Sequence, residues 1–185
     1  MKKDQNIYPV KLFIGMISQD PDFFLKVEHQ VRKRFGALSI ETEVLPFDYT
    51  DYYNQELGSP LSRKFISFEG LIKAEALVTI KQHTMKLEKK MSKNNNRSVN
   101  IDPGYLTAAK VVLASSKNYS HRIYLGKEVF AEVTLYYHNT IFQYLPWTYP
   151  DYKTKKYIEF FTHVRTIYLG QLKHLHEQSQ KINIL

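Results

Sequence analysis

The order of its hydrophobic periodicities constrains this chain most. Lys11 to Ser18 (KLFIGMIS) reads as a buried strand. Asp20-Pro21 then supplies an N-cap and a proline suited to a first helical turn. Phe24, Val27, Val31 and Phe35 follow on one helical face, and Gly36 is placed to end that helix. Leu38 to Phe47 alternates polar and apolar residues, as a half-buried strand does. Asp48 to Pro60 is a loop or short helix rich in Tyr and acids, and Leu61 to Phe68 is a third strand. A second helix, from about Lys73 to Met91, sets Leu77, Ile80, Thr84, Leu87 and Met91 on one stripe. The polar run Lys93 to Arg97 is a loop, and Arg97 to Ile101 a fourth strand. This βαββαβ order predicts an α+β fold with a ferredoxin-like antiparallel-sheet core over about residues 9–105.

An extension over about residues 106–176 completes a single domain, 1–185, with a tail at 177–185. Asp102-Pro103-Gly104 has the chemistry of a tight turn, which places Asp102 at the end of a core strand. Leu106 to Ser116 suits either a helical turn (TAAK) or a strand (KVVLAS). A β-hairpin runs from about Tyr119 to Tyr137, turning at Gly126-Lys127, where Gly suits a type II′ turn. A long C-terminal helix runs from about Asp151 to His176, capped by Thr148 or Asp151, with Tyr157, Ile158, Phe161, Val164, Ile167, Tyr168 and Leu172 inward.

Charge bears on partners. The net charge of +8 favours an anionic small molecule or nucleotide, with nucleic acid as a further candidate. The chain has no Cys, so disulfides, thiolate nucleophiles and Cys-based zinc sites are excluded. The apolar run in MKKDQNIYPVKLFIGM is short and broken by Lys11, so it does not read as a signal peptide, and no apolar run reaches the roughly 18 residues of a membrane span, so a cytoplasmic location is expected. There is no GxxxxGK[ST] P-loop, no GxGxxG Rossmann fingerprint, no HExxH and no GxSxG.

The densest polar stretch, Asn100 to Tyr152, holds the candidate site. Hairpin pairing sets Tyr124 opposite Val129 and His121 opposite Glu132, with Arg122 and Tyr124 on the other face. A carboxylate beside an imidazole fixes its tautomer and suits a general base or phosphate anchor. His121, Glu132 and Asp102 are therefore the candidate catalytic residues. Arg122, Lys117, Ser116 and Tyr124 are candidates for holding a ligand, with Trp147 and Tyr149 to stack on a planar one. Mg²⁺ is the one cofactor suggested, through Asp102 or the acidic loop of Asp48, Asp51 and Glu56.

Two other classes fit parts of the chain. KLFIGMIS looks like the RNP2 segment of an RNA recognition motif with Phe13 as stacker, but SRKFISFEG puts Phe65 and Phe68 on opposite faces where RNP1 needs two aromatics on one. The aromatic content, 14 Tyr and 11 Phe, also suits a homo-oligomer that packs aromatic surfaces together.

Taken together, PVKLFIGM, LPFDYTDYY, SRKFISFE, VNIDPGYL, KNYSHRIYLG, FAEVTLYY and WTYPDY resemble an uncharacterised domain-of-unknown-function family of bacteria and archaea. The resemblance spans Pro9 to about Tyr168, and NIDPGYL followed by SHRIYLG is its most specific part. It implies a small prokaryotic cytoplasmic protein. Some family members bear a GTP-binding label, which the missing P-loop does not support here. The family assigns no functional residues, so none is carried over.

Overall fold

The computed structural model describes residues 8–94 and 96–182, with side chains to residue 178. In chain order its elements are β1 (Val10–Ser18), α1 (Asp22–Phe35), β2 (Leu38–Glu41), β3 (Leu45–Phe47), α2 (Asn54–Leu57), β4 (Leu61–Ile72), α3 (Ala76–Lys90), β5 (Asn100–Leu106), β6 (Lys110–Ser115), β7 (Ile123–Gly126), β8 (Val129–His138), β9 (Ile141–Tyr144) and α4 (Lys155–Ile182). All nine strands form one antiparallel sheet in the order β2-β4-β1-β5-β6-β8-β7, with β3 also beside β4 and β9 beside β8. The N-terminal segment 1–7 and the last residues of the expected tail, 183–185, lie outside the described residues.

The sheet is covered on both faces, and β1 shows why. Successive strand residues point to opposite sides. Leu12, Ile14 and Met16 pack with Phe24, Val27 and Val31 of α1 and Ile80 and Leu87 of α3. Phe13 points the other way, into Phe65 and into Tyr157, Phe161 and Val164 of α4. Its ring meets Phe161 edge-on at 4.9 Å and is 0% exposed. The open aromatic face that an RNA-recognition reading requires of Phe13 is therefore closed by α4. No helix among the described residues is long and apolar enough to cross a membrane.

Several expected elements differ, each for a local reason. Asp102-Pro103-Gly104 is not a turn; it is the middle of β5, paired to Gly15, Ile14 and Phe13 of β1. Gly104 is required there because a Cβ would fall 2.4 Å from Phe13 Cζ and 2.4 Å from the Val112 carbonyl oxygen. The expected strand Leu38 to Phe47 is two short edge strands, broken where Thr42 bonds β4 through both its backbone N–H and its hydroxyl. The Leu106 to Ser116 connector resolves as a tight turn and β6.

The hairpin turns at Lys127-Glu128, both with positive φ (52° and 60°), so it is type I′ rather than II′, with Gly126 as an adjoining irregularity. A second such turn at Asn139-Thr140 (48° and 67°) leads into β9, a strand the sequence does not announce. Neither Thr148 nor Asp151 caps α4. Thr148 donates to the Thr134 carbonyl of β8, Asp151 is ion-paired, and Thr154 precedes the helix and accepts the Ile158 N–H.

Lys11 ties α4 to the sheet by donating to Gln171 Oε1 (2.8 Å) and the Glu69 carbonyl (3.2 Å). Burial lowers its pKa to about 8, against the opposing pull of Glu69. Between about pH 8 and the unfolded value of 10.5, the unfolded chain then holds a proton that the folded chain has lost. Stability from this group therefore rises as pH rises through that window. Urea unfolding of wild type and Lys11→Met at pH 7.5 and 10 checks this. The difference, wild type minus variant, should shift in favour of wild type at the higher pH; an unchanged difference would contradict it.

Candidate functional site

The sheet forks between β5 and β6. Their ladder covers only Gly104 to Leu106, paired with Leu113 to Val111, and from Asn100 to Pro103 β5 is paired to β1 and no longer to β6. Alternation along a strand points the backbone polar groups of Ile101 and Pro103 to the same side. On that side Ile101 N–H donates to Glu88 Oε1 (2.6 Å), and Ile101 C=O accepts from Lys81 Nζ (3.2 Å), both side chains coming from α3. Pro103 has no N–H to offer, so no ladder bond is lost where the strands part. The opening is a cleft of about 700 Å³ between the fork, the 49–53 loop, the β6–β7 connection and the 147–152 segment.

Register sets residues from three neighbouring rows of the sheet on its α4 side. Arg63 of β4 faces Ile17 of β1, and Gly15 of β1 faces Asp102 of β5. Further across, Leu113 of β6 faces Glu132 of β8. A Cβ on Gly15 would lie 2.9 Å from Arg63 Nη1, so the guanidinium occupies the space that a side chain there would fill. Arg63 is 3% exposed and its Nη2 donates to the buried Asp151 carboxylate at 2.7 Å. Burial is the largest single influence and opposes its charge, but Asp151 and smaller pulls from Tyr152, Tyr157 and Asp102 together hold the Arg63 pKa above an ordinary arginine's.

The hairpin wall is organised by Glu132, which is 3% exposed. Its Oε2 accepts from His121 Nε2 at 3.0 Å and from Arg122 Nε at 2.7 Å. The expected His121–Glu132 contact is present, but the register is one residue off: Tyr124 faces Phe130, not Val129. The same shift brings Arg122 to Glu132, so it is not on the opposite face. Arg122 also donates to Ser115 Oγ (2.9 Å), the Lys117 carbonyl (2.8 Å) and the Tyr149 hydroxyl (2.6 Å). With its fork so occupied, Arg122 positions the wall and has little left for a ligand. Burial disfavours its charge, and Glu132 and Tyr149 more than restore it, so its pKa is raised.

Three rings form a ladder at the rim. Tyr119 lies over His121 at 6.1 Å with 14° between planes, and His121 over Trp147 at 5.3 Å with 11°. Trp147 Nε1 donates to the Val133 carbonyl (2.9 Å), which fixes the indole. Across the opening, Lys117 bonds the Tyr52 hydroxyl and sits over that ring, 3.8 Å from its centre. Burial and then the Arg122 charge lower the Lys117 pKa.

The α3 wall is a second polar network. Asp102 accepts from Asn100 Nδ2 (2.6 Å) and lies 3.4 Å from Lys81 Nζ. Arg97 clasps Glu56 through Nε (2.7 Å) and Nη2 (2.6 Å), and donates to Asn100 (2.8 Å). Burial raises the Glu88 pKa, against the pull of Lys81.

His121, Glu132, Asp102, Arg122, Lys117, Ser116, Trp147 and Tyr149 all line this one cleft. Tyr124 does not; it is 58% exposed on β7 and packs on Phe130. Of the acidic loop, Glu56 is held by Arg97 and Asp51 by Asn54. Among the described residues no three His, Asp or Glu side chains are placed to hold a metal ion together. Sequence reasoning missed Arg63, Lys81, Glu88, Arg97 and Asp151. One signal was present: Leu77, Lys81, Thr84 and Glu88 follow helical spacing beside the apolar stripe, and all four are buried.

The sequence model of a family described as a domain of unknown function (DUF4416) matches residues 8–168. The chain belongs to this family. That match takes in every strand and both walls of the cleft. No curated protein and no solved structure matches the chain.

Proposed function

We propose that this DUF4416 member binds a phosphorylated, nucleotide-like ligand in the forked cleft, as a small enzyme or a binding protein for it. The observation that carries this is the parallel-ring ladder set beside basic side chains in a single cleft. A ladder with an exposed end offers a flat ring one more stacking position. Arg63, Lys81, Lys89, Arg97, Lys117 and Arg122 line the cleft against Glu88, Asp102, Glu132 and Asp151, an excess of cations that suits an anion. A volume near 700 Å³ is in the range of small-molecule sites.

In this reading His121 is the group best placed for proton transfer. An ionised Glu132 can only accept, so Nε2 carries the proton and Nδ1 is the nitrogen left to accept one. Asp102, held by Asn100 and Lys81, is the carboxylate at the centre of the fork. We also read β2, β4, β1 and β5 with α1 and α3 as a ferredoxin-like split βαβ core, supported by their strand order and by both helices packing on one face. β6 to β9 then extend that sheet.

A thermal-shift screen over nucleotides and phosphorylated metabolites tests the binding reading. At least one compound should raise Tm, and the shift should vanish in His121→Ala and shrink in Lys117→Ala. A shift that survives both substitutions would move the site elsewhere.

A further inference from the structure

Four buried polar atoms around the Arg63 guanidinium make no hydrogen bond of good geometry, Arg63 Nε and Nη1 and the hydroxyls of Tyr152 and Tyr157, with only a weak contact between Arg63 and the Tyr157 hydroxyl. The guanidinium carbon lies 5.7 Å and 5.9 Å from the two phenol ring centres, and those rings are 5.8 Å apart. Arg63, Asp151 and Tyr152 all line the cleft. Asp151 takes Nη2 alone. The faces of Phe65 and Phe47 lie 5.0 Å and 5.1 Å from the guanidinium carbon and share its charge, but they offer no lone pairs to its remaining N–H groups.

Unpaired buried donors are costly, and native structures seldom leave them together. Every one of these groups can donate. Burial pushes both phenols up, which keeps them protonated. The complement of such a set is a compact anion with several acceptor oxygens. Asp102, the carboxylate of the fork, already has Asn100 and Lys81 as partners, which blunts its repulsion of a second anion.

We infer that Arg63, Tyr152 and Tyr157 form an oxyanion subsite that takes the phosphoryl group of the ligand. This rests on the reading that the cleft binds a phosphorylated ligand, and it orients that ligand. The phosphoryl end lies inward on Arg63, and the ring lies outward on the Tyr119–His121–Trp147 ladder. The four donor atoms are shielded from solvent, so entry requires the side chains packed around the guanidinium to move.

The test uses inorganic phosphate, AMP and adenosine as separate probes, followed by calorimetry and ³¹P NMR. Wild type should bind phosphate and AMP. Arg63→Lys keeps a cation for Asp151 but removes the free fork, and Tyr157→Phe removes only a hydroxyl. Each should weaken phosphate and AMP by about 10-fold or more and leave adenosine unchanged. Tyr157→Phe should unfold at the same temperature as wild type or higher, so it decides the matter if Arg63→Lys folds poorly. Failure of wild type to bind phosphate, or equal binding by Tyr157→Phe, overturns the subsite. If AMP or adenosine still binds in that case, the cleft reading stands without it; if none of the three binds, both fall.

Discussion

Asp151→Ala should cost about 3–5 kcal/mol of unfolding free energy. Among the described residues the carboxylate is the one ion-pair partner of Arg63, and both side chains are buried, at 4% side-chain exposure each. Removing it leaves a guanidinium that cannot neutralise itself by losing a proton. Four aromatic rings surround that charge, contributed by Phe47, Phe65, Tyr152 and Tyr157, and none can replace a carboxylate. For a chain of this size the loss corresponds to a fall in Tm of roughly 6–20 °C. Arg63→Met combined with Asp151→Leu should recover most of it, because charge and counter-charge leave together. Urea unfolding of the two single variants and the double variant checks this. A double variant as unstable as Asp151→Ala would show that shape, not charge, is what Asp151 supplies.

Gly104→Ala should cost about 3 kcal/mol, the upper range for overpacking. The new Cβ would meet the Phe13 ring and, at 2.4 Å, the backbone carbonyl of Val112. A side chain can rotate away, but a ladder carbonyl moves only with its strand. The shift would fall on β5 just where it separates from β6, so the cleft should be disturbed along with the fold. Gly170→Ala is the contrasting substitution. Nothing lies within 4 Å of its Cβ, the residue is inside α4, and Ala should stabilise by about 0.5–1 kcal/mol. Chemical denaturation of the two variants should move in opposite directions.

The parts of the fold legible in the sequence are those set by local period. Phe24, Val27 and Val31, and Leu77, Ile80 and Leu87, repeat as helical faces do, and all six are buried. Asp102-Pro103-Gly104 was misread because turn chemistry and its actual causes use the same residues. Gly104 exists for the ring of Phe13, far away in the chain, and Pro103 for a strand side that has left β6, and neither leaves a local trace. The hairpin contact of His121 with Glu132 was legible because only short-range pairing was needed. Its register was not, since Lys127 and Glu128 adopt positive φ without being glycine or asparagine. Arg63 and Lys81 were invisible as site residues for another reason. A basic residue is ordinarily solvated, and only the register of β4, β1 and β5 and the packing of α3 bring these two inward.

Trp147 is the only tryptophan in the chain and sits on the ring ladder, so its fluorescence reports on the cleft without a label. Titration with AMP and the other nucleoside monophosphates tests the central claim most directly. A saturable change with at least one of them is predicted, weaker at high salt and weaker again in Lys117→Ala. No saturable change with any of them up to millimolar concentration, in a protein shown to be folded, would contradict it.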